Sequence, residues 1–320
     1  MMTGASRLLI AALVVITALG TVVQARMNGE LVVITGNPFE VGALNLGVAM
    51  VVATVFVLSR TPLRRSWRAM SRLLRGGQIR WWECLAGVCG AYFVTTQSAS
   101  VPVLGVAVFT VSVVAGQTSN SALLDRLGFG PAGRQPVSVL RLLAAVLAVV
   151  AVGVSVSDRL GVSNVEDGRL ALAFALLALS AGVVSAFQAA LNGRVGRTVG
   201  HPLIAGWLNF AVGFSVSLPV AALLSSTTGR SLGSLPWDRP WLLAGGVLGM
   251  LYVITVAWAT RPLGLLLAAV LSVVGLLVGA LLIDLVAPTA GTQFGWHLVA
   301  GVLLALAAAA MAALGRATGR

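Results

Sequence analysis

The stretch "QARMNGELVVITGNPFEVGALNLGV", residues 24–48, contains a polar pattern that the chain repeats later. The stretch "QAALNGRVGRTVGHPLIAGWLNFAV", residues 188–212, has glutamine, asparagine, glycine and proline at the same spacing, and 10 of the 25 aligned positions are identical. The offset is 164 residues from the first shared glutamine to the last shared asparagine. Because the chain is 58% hydrophobic, two copies of these scarce amides indicate an internal duplication.

The composition excludes an ordinary soluble domain. Charged residues make up 9% of the chain and the mean hydropathy is +0.98, whereas soluble domains carry about 25% charged residues. Apolar runs of 18 or more residues recur, and each is long enough to cross a bilayer. Backbone amides in lipid must be satisfied within the segment, so these runs predict helices. We therefore expect an all-α polytopic membrane protein.

The apolar runs predict ten transmembrane helices, separated by turn and breaker signals. Asn37 followed by Pro38 is typical of an N-cap with proline in the first turn. Gly130-Pro131 and Arg261-Pro262 mark two later breaks. We place the helices at about 8–27, 38–58, 81–99, 102–123, 138–156, 170–191, 202–224, 241–259, 263–283 and 296–314.

The downstream parts of the two copies also align. "GAYFVTTQSASVPVLG" from Gly90 resembles "GMLYVITVAWATRPLG" from Gly249, with one position slipped around the proline. We therefore predict a five-helix repeat at 1–157 and a second at 158–320, which together form one transmembrane domain. Because five is odd, the second repeat is expected to enter the membrane upside down, which makes an inverted repeat.

The net charge of +12 includes 21 basic residues, and all of them are arginine. We expect the 60–80 segment to be a cytoplasmic loop held against anionic lipid headgroups, not a nucleic-acid arm. The spacing of Trp67, Met70 and Leu74 predicts a short amphipathic helix in the interface. The segment carries Arg60, Arg64, Arg65, Arg68, Arg72, Arg75 and Arg80.

The distribution of arginine also predicts the orientation in the membrane. With the N-terminus inside, 16 arginines lie on the cytoplasmic side and 5 on the other. Loops rich in Lys and Arg are retained in the cytoplasm. We therefore expect a multi-pass protein of the bacterial plasma (inner) membrane with both termini in the cytoplasm.

Eleven polar or aromatic side chains in or beside the apolar spans are candidates for a substrate pathway, since such groups face a cavity or another helix. They are Gln24, Asn28, Asn45, Gln188, Asn192, Asn209, Tyr92, Gln97, Gln117, Tyr252 and Trp258. The competing interpretation is structural. Asn and Gln bridge membrane helices for about 0.6 kcal/mol each, and aromatic residues near helix ends anchor the interface. The sequence alone leaves both interpretations open.

Acidic residues bear on how transport would be driven. No carboxylate lies in the middle of a predicted span, where a proton-coupled cation exporter would be expected to keep one. If protons couple, Glu83 and Glu40 are the best candidates, and both lie near predicted helix ends. We therefore favour an uncoupled carrier.

Enzyme motifs are absent from the sequence. There is no H-E-x-x-H zinc motif and no G-x-S-x-G serine motif, and Asp125 and Asp284 are expected on opposite membrane faces. Cys84 and Cys89 are expected on different helix faces, which argues against a disulfide or metal site. We expect no enzyme activity, no cofactor and no metal. The alternative to a transporter is a non-transporting membrane scaffold or assembly partner.

The duplicated Gln-Ala-x-x-Asn-Gly and Gly-x-Pro block, the five-plus-five arrangement and the short loops resemble the drug/metabolite transporter (DMT) superfamily. Within it the chain is similar to the YdcZ-like inner-membrane exporters, most strongly over 20–50 and 184–214. The resemblance implies ten helices, cytoplasmic termini, a small-molecule substrate and a central cavity formed mainly by the first, third and fourth helices with their counterparts. Small multidrug-resistance relatives carry a glutamate midway along the first helix, and this chain has none there. The expected function is export of a small organic metabolite or drug-like compound by alternating access.

Overall fold

The protein is helical throughout the part of the chain that the computed structural model describes. The described residues are 4–129, 134, 138–160, 165–228 and 236–317. In chain order the helices are α1 Gly4–Thr35, α2 Pro38–Ser59, α3 Thr61–Arg75, α4 Ala86–Leu127, α5 Val139–Leu160, α6 Val165–Val199, α7 Pro202–Thr228, α8 Gly245–Leu263, α9 Leu265–Val286 and α10 Trp296–Ala317. The break expected at Gly130-Pro131 lies outside the described residues.

The second helix of each half begins in the same way. α2 starts at Pro38 and α7 at Pro202, 164 residues later. The Asn37 side chain accepts hydrogen bonds from the backbone N–H groups of Phe39 (3.1 Å) and Glu40 (3.3 Å). This arrangement satisfies two N–H groups that have no partner within the helix. The predicted N-cap is therefore confirmed.

A glycine with a left-handed φ interrupts the long apolar segment of each half. Gly105 within α4 has φ 77° and ψ 167°, and Gly264 between α8 and α9 has φ 82° and ψ 156°. The two glycines are 159 residues apart, and glycine adopts this conformation at little steric cost. The breaks expected near 100–101 and at Arg261-Pro262 are therefore wrong by a few residues. Each helix continues past its proline, because the direction changes only where a positive φ is allowed.

Asp284 of α9 caps the helical segment that starts after Gly105. Its carboxylate oxygens accept hydrogen bonds from the backbone N–H groups of Val106 (2.9 Å) and Ala107 (2.8 Å). The side chain is buried, and its charge lies at the positive end of that segment's dipole. The second half of the chain thus stabilises the break in the first half.

Helices of one half pack against helices of the other. α4 packs on α6, α1 packs on α8 and α9, α2 packs on α7, and α5 packs on α10. In the duplication α1 corresponds to α6, α2 to α7, α5 to α10, and α4 to α8 and α9 together. Replacing every helix by its counterpart therefore gives the same set of packed pairs. The most extensive helix packing is therefore between the halves.

The α2 and α7 helices, which correspond to each other in the duplication, are antiparallel. Near the start of α2, Asn37 Nδ2 donates to Ser225 Oγ (3.2 Å) near the end of α7. Near the end of α2, Thr54 Oγ1 accepts a hydrogen bond from Trp207 Nε1 (2.8 Å) near the start of α7. Contacts at both ends show that the two helices run in opposite directions.

The α5 and α10 helices, the last of each half, are also antiparallel. Ser138 Oγ, just before α5, donates to the Gly315 carbonyl near the end of α10 (3.2 Å). Asp158, at the other end of α5, contacts the imidazole of His297 at the start of α10. Two corresponding pairs therefore have the same relative direction.

The predicted amphipathic helix is present as α3. Leu63 and Met70 are buried, and the ring of Trp67 packs edge-on against Trp207 of α7 with 5.4 Å between ring centroids. The opposite face exposes Arg65, Arg68, Arg72 and Arg75. α3 therefore packs its apolar side on the bundle and presents positive charge outward.

Among the described residues, eight helices are long and apolar enough to cross a membrane. One of them, Trp81–Leu127, has 47 residues and covers the third and fourth predicted helices. A shorter apolar helix, Pro240–Val256, covers most of the predicted eighth. The chain is a multi-pass membrane protein, and ten crossings stay a prediction.

Candidate substrate pathway

In the first half, the structure brings four of the predicted amides into one hydrogen-bonded network. Gln24 Nε2 donates to Asn45 Oδ1 (3.0 Å), and Asn45 Nδ2 donates to Asn28 Oδ1 (3.1 Å). Asn28 Nδ2 in turn donates to Gln97 Oε1 (2.9 Å). All four side chains are buried. The network joins α1, α2 and α4 inside the bundle.

In the second half, the same pair forms but the network stops there. Gln188 Nε2 donates to Asn209 Oδ1 at 3.0 Å, the distance of the corresponding bond in the first half. Asn192 is half-buried and has no hydrogen-bond partner among the described residues. The sequence explains the missing last bond, because the residue 159 positions after Gln97 is Val256, which has no polar side chain.

Each glutamine–asparagine pair packs against a glycine from the other half. A Cβ on Gly249 of α8 would lie 2.8 Å from Gln24 Oε1, and a Cβ on Gly90 of α4 would lie 2.9 Å from Gln188 Nε2. Gly90 and Gly249 are 159 residues apart. The absence of a side chain at these positions lets the helices approach the amides closely. Both amide pairs therefore lie between the two halves.

Two further candidates contact α6 from α4. Gln117 Nε2 donates to Ser185 Oγ (2.9 Å), and the Tyr92 hydroxyl shares a hydrogen bond with Ser180 Oγ (2.7 Å). Gln117 is half-buried and Tyr92 is 37% exposed. Both side chains thus bridge helices of different halves.

The two aromatic candidates on α8 differ in how far their side chains are exposed. Tyr252 is half-buried and hydrogen-bonds Ser272 of α9, and it lies one helical turn from Gly249. Trp258 is 51% exposed. Such exposure is typical of an aromatic residue that anchors a helix at the membrane interface.

The two coupling candidates are both buried and lie on different helical elements. Glu83 is in the 3₁₀ turn Trp81–Leu85, where its Oε1 pairs with Arg194 Nε of α6 (2.9 Å). Its Oε2 accepts a hydrogen bond from the backbone N–H of Arg80 (3.0 Å). Glu40 lies in the first turn of α2, where the helix dipole favours a negative charge.

Two charged groups that sequence analysis did not single out also form a close contact. Glu30 Oε1 of α1 pairs with Arg239 Nη1 (2.9 Å), just before the second 3₁₀ turn, Pro240–Ala244. The duplication aligns Glu30 with Arg194 but aligns Arg239 with Arg80, which is not the partner of Arg194, so it contains no direct signal for this pair.

A cavity of about 460 Å³ lies between α2 and α7. Val51 is 57% exposed and Leu218 is 39% exposed, so the cavity opens on the outer surface of the bundle. It is lined by Glu40, Ala43, Leu44, Gly47, Val48, Met50, Val51, Val52, Phe214, Leu218 and Ala221. Glu40 is therefore at this cavity, whereas none of the eleven pathway candidates is. The position also differs from the central cavity that the resemblance implies.

In the described part of the chain, no three His, Cys, Asp or Glu side chains come together as metal ligands would. The amide and hydroxyl groups of the pathway candidates that lie between the halves are neutral. Such groups offer hydrogen-bond donors and acceptors without a fixed charge. The arrangement is suited to binding a polar organic group or to joining helices.

Comparison with known families assigns the chain to one of them. No curated protein matches the sequence. It does match the family described as "Putative inner membrane exporter, YdcZ" over residues 9–154 and 173–311. These matched stretches begin 164 residues apart, which is the offset of the duplicated amides. Since they make up most of the chain, the protein belongs to this family of inner membrane exporters.

Proposed function

We propose that the protein is a secondary transporter that exports a small organic metabolite or drug-like compound by alternating access. Residues 1–157 and 158–320 act as two five-helix repeats of opposite orientation within one transmembrane domain. The eleven pathway candidates include the groups that the substrate meets between the repeats. Membership of an exporter family supports transport and its direction.

The observation that carries this proposal is the antiparallel packing of corresponding helices. If α2 corresponds to α7 and α5 to α10, antiparallel pairs are what an inverted repeat produces. Inverted repeats support alternating access, because exchanging the conformations of the two halves moves the opening from one membrane face to the other. The matching amide pairs lie at the interface where such an exchange would occur.

Helix lengths support ten crossings. A helix rises 1.5 Å per residue, so the 47 residues of Trp81–Leu127 would extend about 70 Å, twice the thickness of the hydrocarbon core. The backbone change at Gly105 divides this segment into two crossings. The corresponding crossings in the second half are the segment from Pro240 to Leu263 and helix α9.

The orientation is part of the proposal and can be tested by cysteine labelling. The exposed arginines of α3 lie on anionic headgroups at the cytoplasmic face, and both termini are on that side. In a variant whose two native cysteines are replaced by serine, a cysteine at Arg68 should not react with an impermeant maleimide on intact cells. A cysteine at Glu166, at the start of α6, should react. The reverse pattern would contradict the orientation.

Transport itself is tested by identifying a ligand and then measuring its exchange. A thermal-shift screen of the purified protein against metabolites comes first, since a ligand at 100 times its dissociation constant adds about 2.7 kcal/mol of stability. Vesicles containing the protein should then exchange the labelled ligand across the membrane, whereas empty vesicles should not. A ligand that binds but never crosses would favour the alternative, a membrane scaffold or assembly partner.

A further inference from the structure

Two ion pairs join the same kinds of element in the two halves, a long helix and a 3₁₀ turn of the opposite half. Arg194 of α6 binds Glu83, and Glu30 of α1 binds Arg239, each with 2.9 Å between nitrogen and oxygen. Arg194 and Glu30 are 164 residues apart, so they are the same position of the duplicated block. Each partner lies in or directly before the 3₁₀ turn of the opposite half.

The charges of the two pairs are exchanged. In one pair the long helix, α6, supplies the cation and the 3₁₀ turn supplies the anion. In the other pair the long helix, α1, supplies the anion and the residue before the turn supplies the cation. A long helix and a 3₁₀ turn are therefore joined by an ion pair in both cases, but the helix carries the positive charge in one and the negative charge in the other.

The pairs lie at opposite ends of the helices that separate them. Glu30 is close to the end of α1, and α2 starts directly after it. α2 then has 22 residues and extends about 33 Å before the chain reaches α3 and Glu83. This length is close to the thickness of the hydrocarbon core, about 30 Å, which is consistent with one pair near each membrane face in the proposed arrangement.

The Glu83–Arg194 pair is the less exposed of the two and is supported by an aromatic ring, although the Arg194 side chain is 30% exposed. The Glu83 side chain is 6% exposed. The Arg194 guanidinium lies over the ring of Trp82 at 5.2 Å, and Trp82 in turn packs on Phe129. Separating a buried pair leaves charges that the surroundings cannot solvate, which makes opening unfavourable.

The Glu30–Arg239 pair is more accessible. Its side chains are 33% and 48% exposed, and Glu30 also binds Arg26 at 3.3 Å. Exposed pairs of this kind are screened by water and contribute little. Each end of the helix bundle thus has an ion pair between a long helix and a 3₁₀ turn, and the two pairs differ in strength.

We propose that these two ion pairs are the gates of the alternating-access cycle, an inference that rests on the proposed transport function. Opening one face separates its pair while the pair at the other face stays closed. Both pairs are formed in the structure, which corresponds to the occluded state between the two open states. Because the Glu83–Arg194 pair is the more buried, the protein opens more readily at the Glu30–Arg239 end.

Hydrogen–deuterium exchange of the full chain in lipid nanodiscs tests this proposal. Arg194→Gln should raise amide exchange at least about tenfold in the 81–90 segment, because it leaves the buried Glu83 carboxylate without its partner. It should also lower exchange in the 24–36 segment, because the population shifts away from the state that is open there. Arg239→Gln should produce the opposite changes. The exchange rates of this variant should differ from those of the wild type by less than about fivefold.

The response at the far end separates a gate from a merely local contact. Asp125→Asn is the matched control, because it breaks the ion pair of Asp125 with Arg141 (2.6 Å), which is not at a gate position. This control should change exchange only locally. Exchanging the charges in Glu83→Arg with Arg194→Glu should restore the wild-type pattern. Changes confined to the mutated end in both gate variants would overturn the proposal.

The outcome is distinguishable from failure of the proposed function, because exchange is measured without substrate and transport is measured in vesicles. Ligand transport by a protein whose gate variants show only local changes would reject the gates and leave transport intact. Coupled exchange at both ends without transport of any ligand that binds would retain the two-state gates and reject transport.

Discussion

The two halves of the molecule share a glutamine–asparagine pair but differ in what surrounds it. In the first half the Gln24–Asn45 pair continues through Asn28 to Gln97, whereas in the second half the equivalent of Gln97 is Val256. The shared pair has the same bond length in both halves and lies against a glycine in both.

This difference separates what the duplication keeps from what each copy has changed. A contact that is present in both halves serves the interface between them, since that interface is itself repeated. The extended network is present in one half only, so the interface between the halves is more polar on that side. If the proposed alternating access holds, the two stages of the cycle therefore differ in the polar groups that they present.

The largest expected effect concerns two close helix–helix contacts, α4 with α6 and α9 with α1. These corresponding contacts also differ between the halves. Gly116 of α4 faces Gly182 of α6, and a Cβ on Gly116 would overlap the Leu179 carbonyl oxygen. At the corresponding crossing Gly275 of α9 faces Ala18 of α1, and its Cβ would lie 2.7 Å from the Ala18 Cβ. Gly116→Ala should therefore lower the free energy of unfolding by about 3 kcal/mol, and Gly275→Ala by about 1 kcal/mol.

Unfolding in mixed micelles measures this pair of variants side by side. Gly153→Ala is the control, because a Cβ at that position meets no atom within 4 Å. It should leave the unfolding free energy within about 0.5 kcal/mol of the wild type. If Gly116→Ala and Gly275→Ala lower the free energy of unfolding equally, the contact between α4 and α6 is no tighter than its counterpart.

A smaller effect is expected for the asparagines at which the two halves diverge. Asn28→Ala removes two buried hydrogen bonds and leaves Asn45 and Gln97 each without one partner, so we expect a loss of about 1–2 kcal/mol. Asn192→Ala should change the unfolding free energy by less than about 0.5 kcal/mol. If Asn192→Ala costs as much as Asn28→Ala, the difference between the networks has no energetic meaning.

How much of this was predictable depends on whether a residue acts through local chemistry or through contacts distant in sequence. The duplication, the amides, the Asn37 cap and α3 follow from spacing and turn propensity, whereas the contact between Gln24 and Asn45 is seen only in the structure. The breaks at Gly105 and Gly264 were misplaced, because a proline signals a break locally whereas a positive φ does not appear in the hydrophobic pattern. The partner of Glu83 is 111 residues away, so no local signal identifies it.

The next effect is the same in both halves. Gln24→Ala and Gln188→Ala each remove one hydrogen bond of the shared pair, which costs about 0.6 kcal/mol. Both variants should insert and fold but bind or transport the ligand more weakly, if the pair belongs to the pathway. Thermal shift and vesicle exchange on the same preparations distinguish the two effects. Loss of stability alone in both variants would favour a packing role.

The smallest expected effect is that of a pH gradient on transport, which we expect to be absent. Glu83 is held by Arg194 and by the Arg80 backbone, so its carboxylate is occupied in both of its oxygens. The amides that join the halves do not titrate in the physiological range. Substrate should therefore run down its own gradient, with the membrane potential adding about 2.3 kcal/mol per charge moved per 100 mV. Vesicles with an imposed pH gradient should not accumulate neutral ligand above the outside concentration. Accumulation that disappears in Glu83→Gln or Glu40→Gln would show that protons couple, and would identify the residue that carries them.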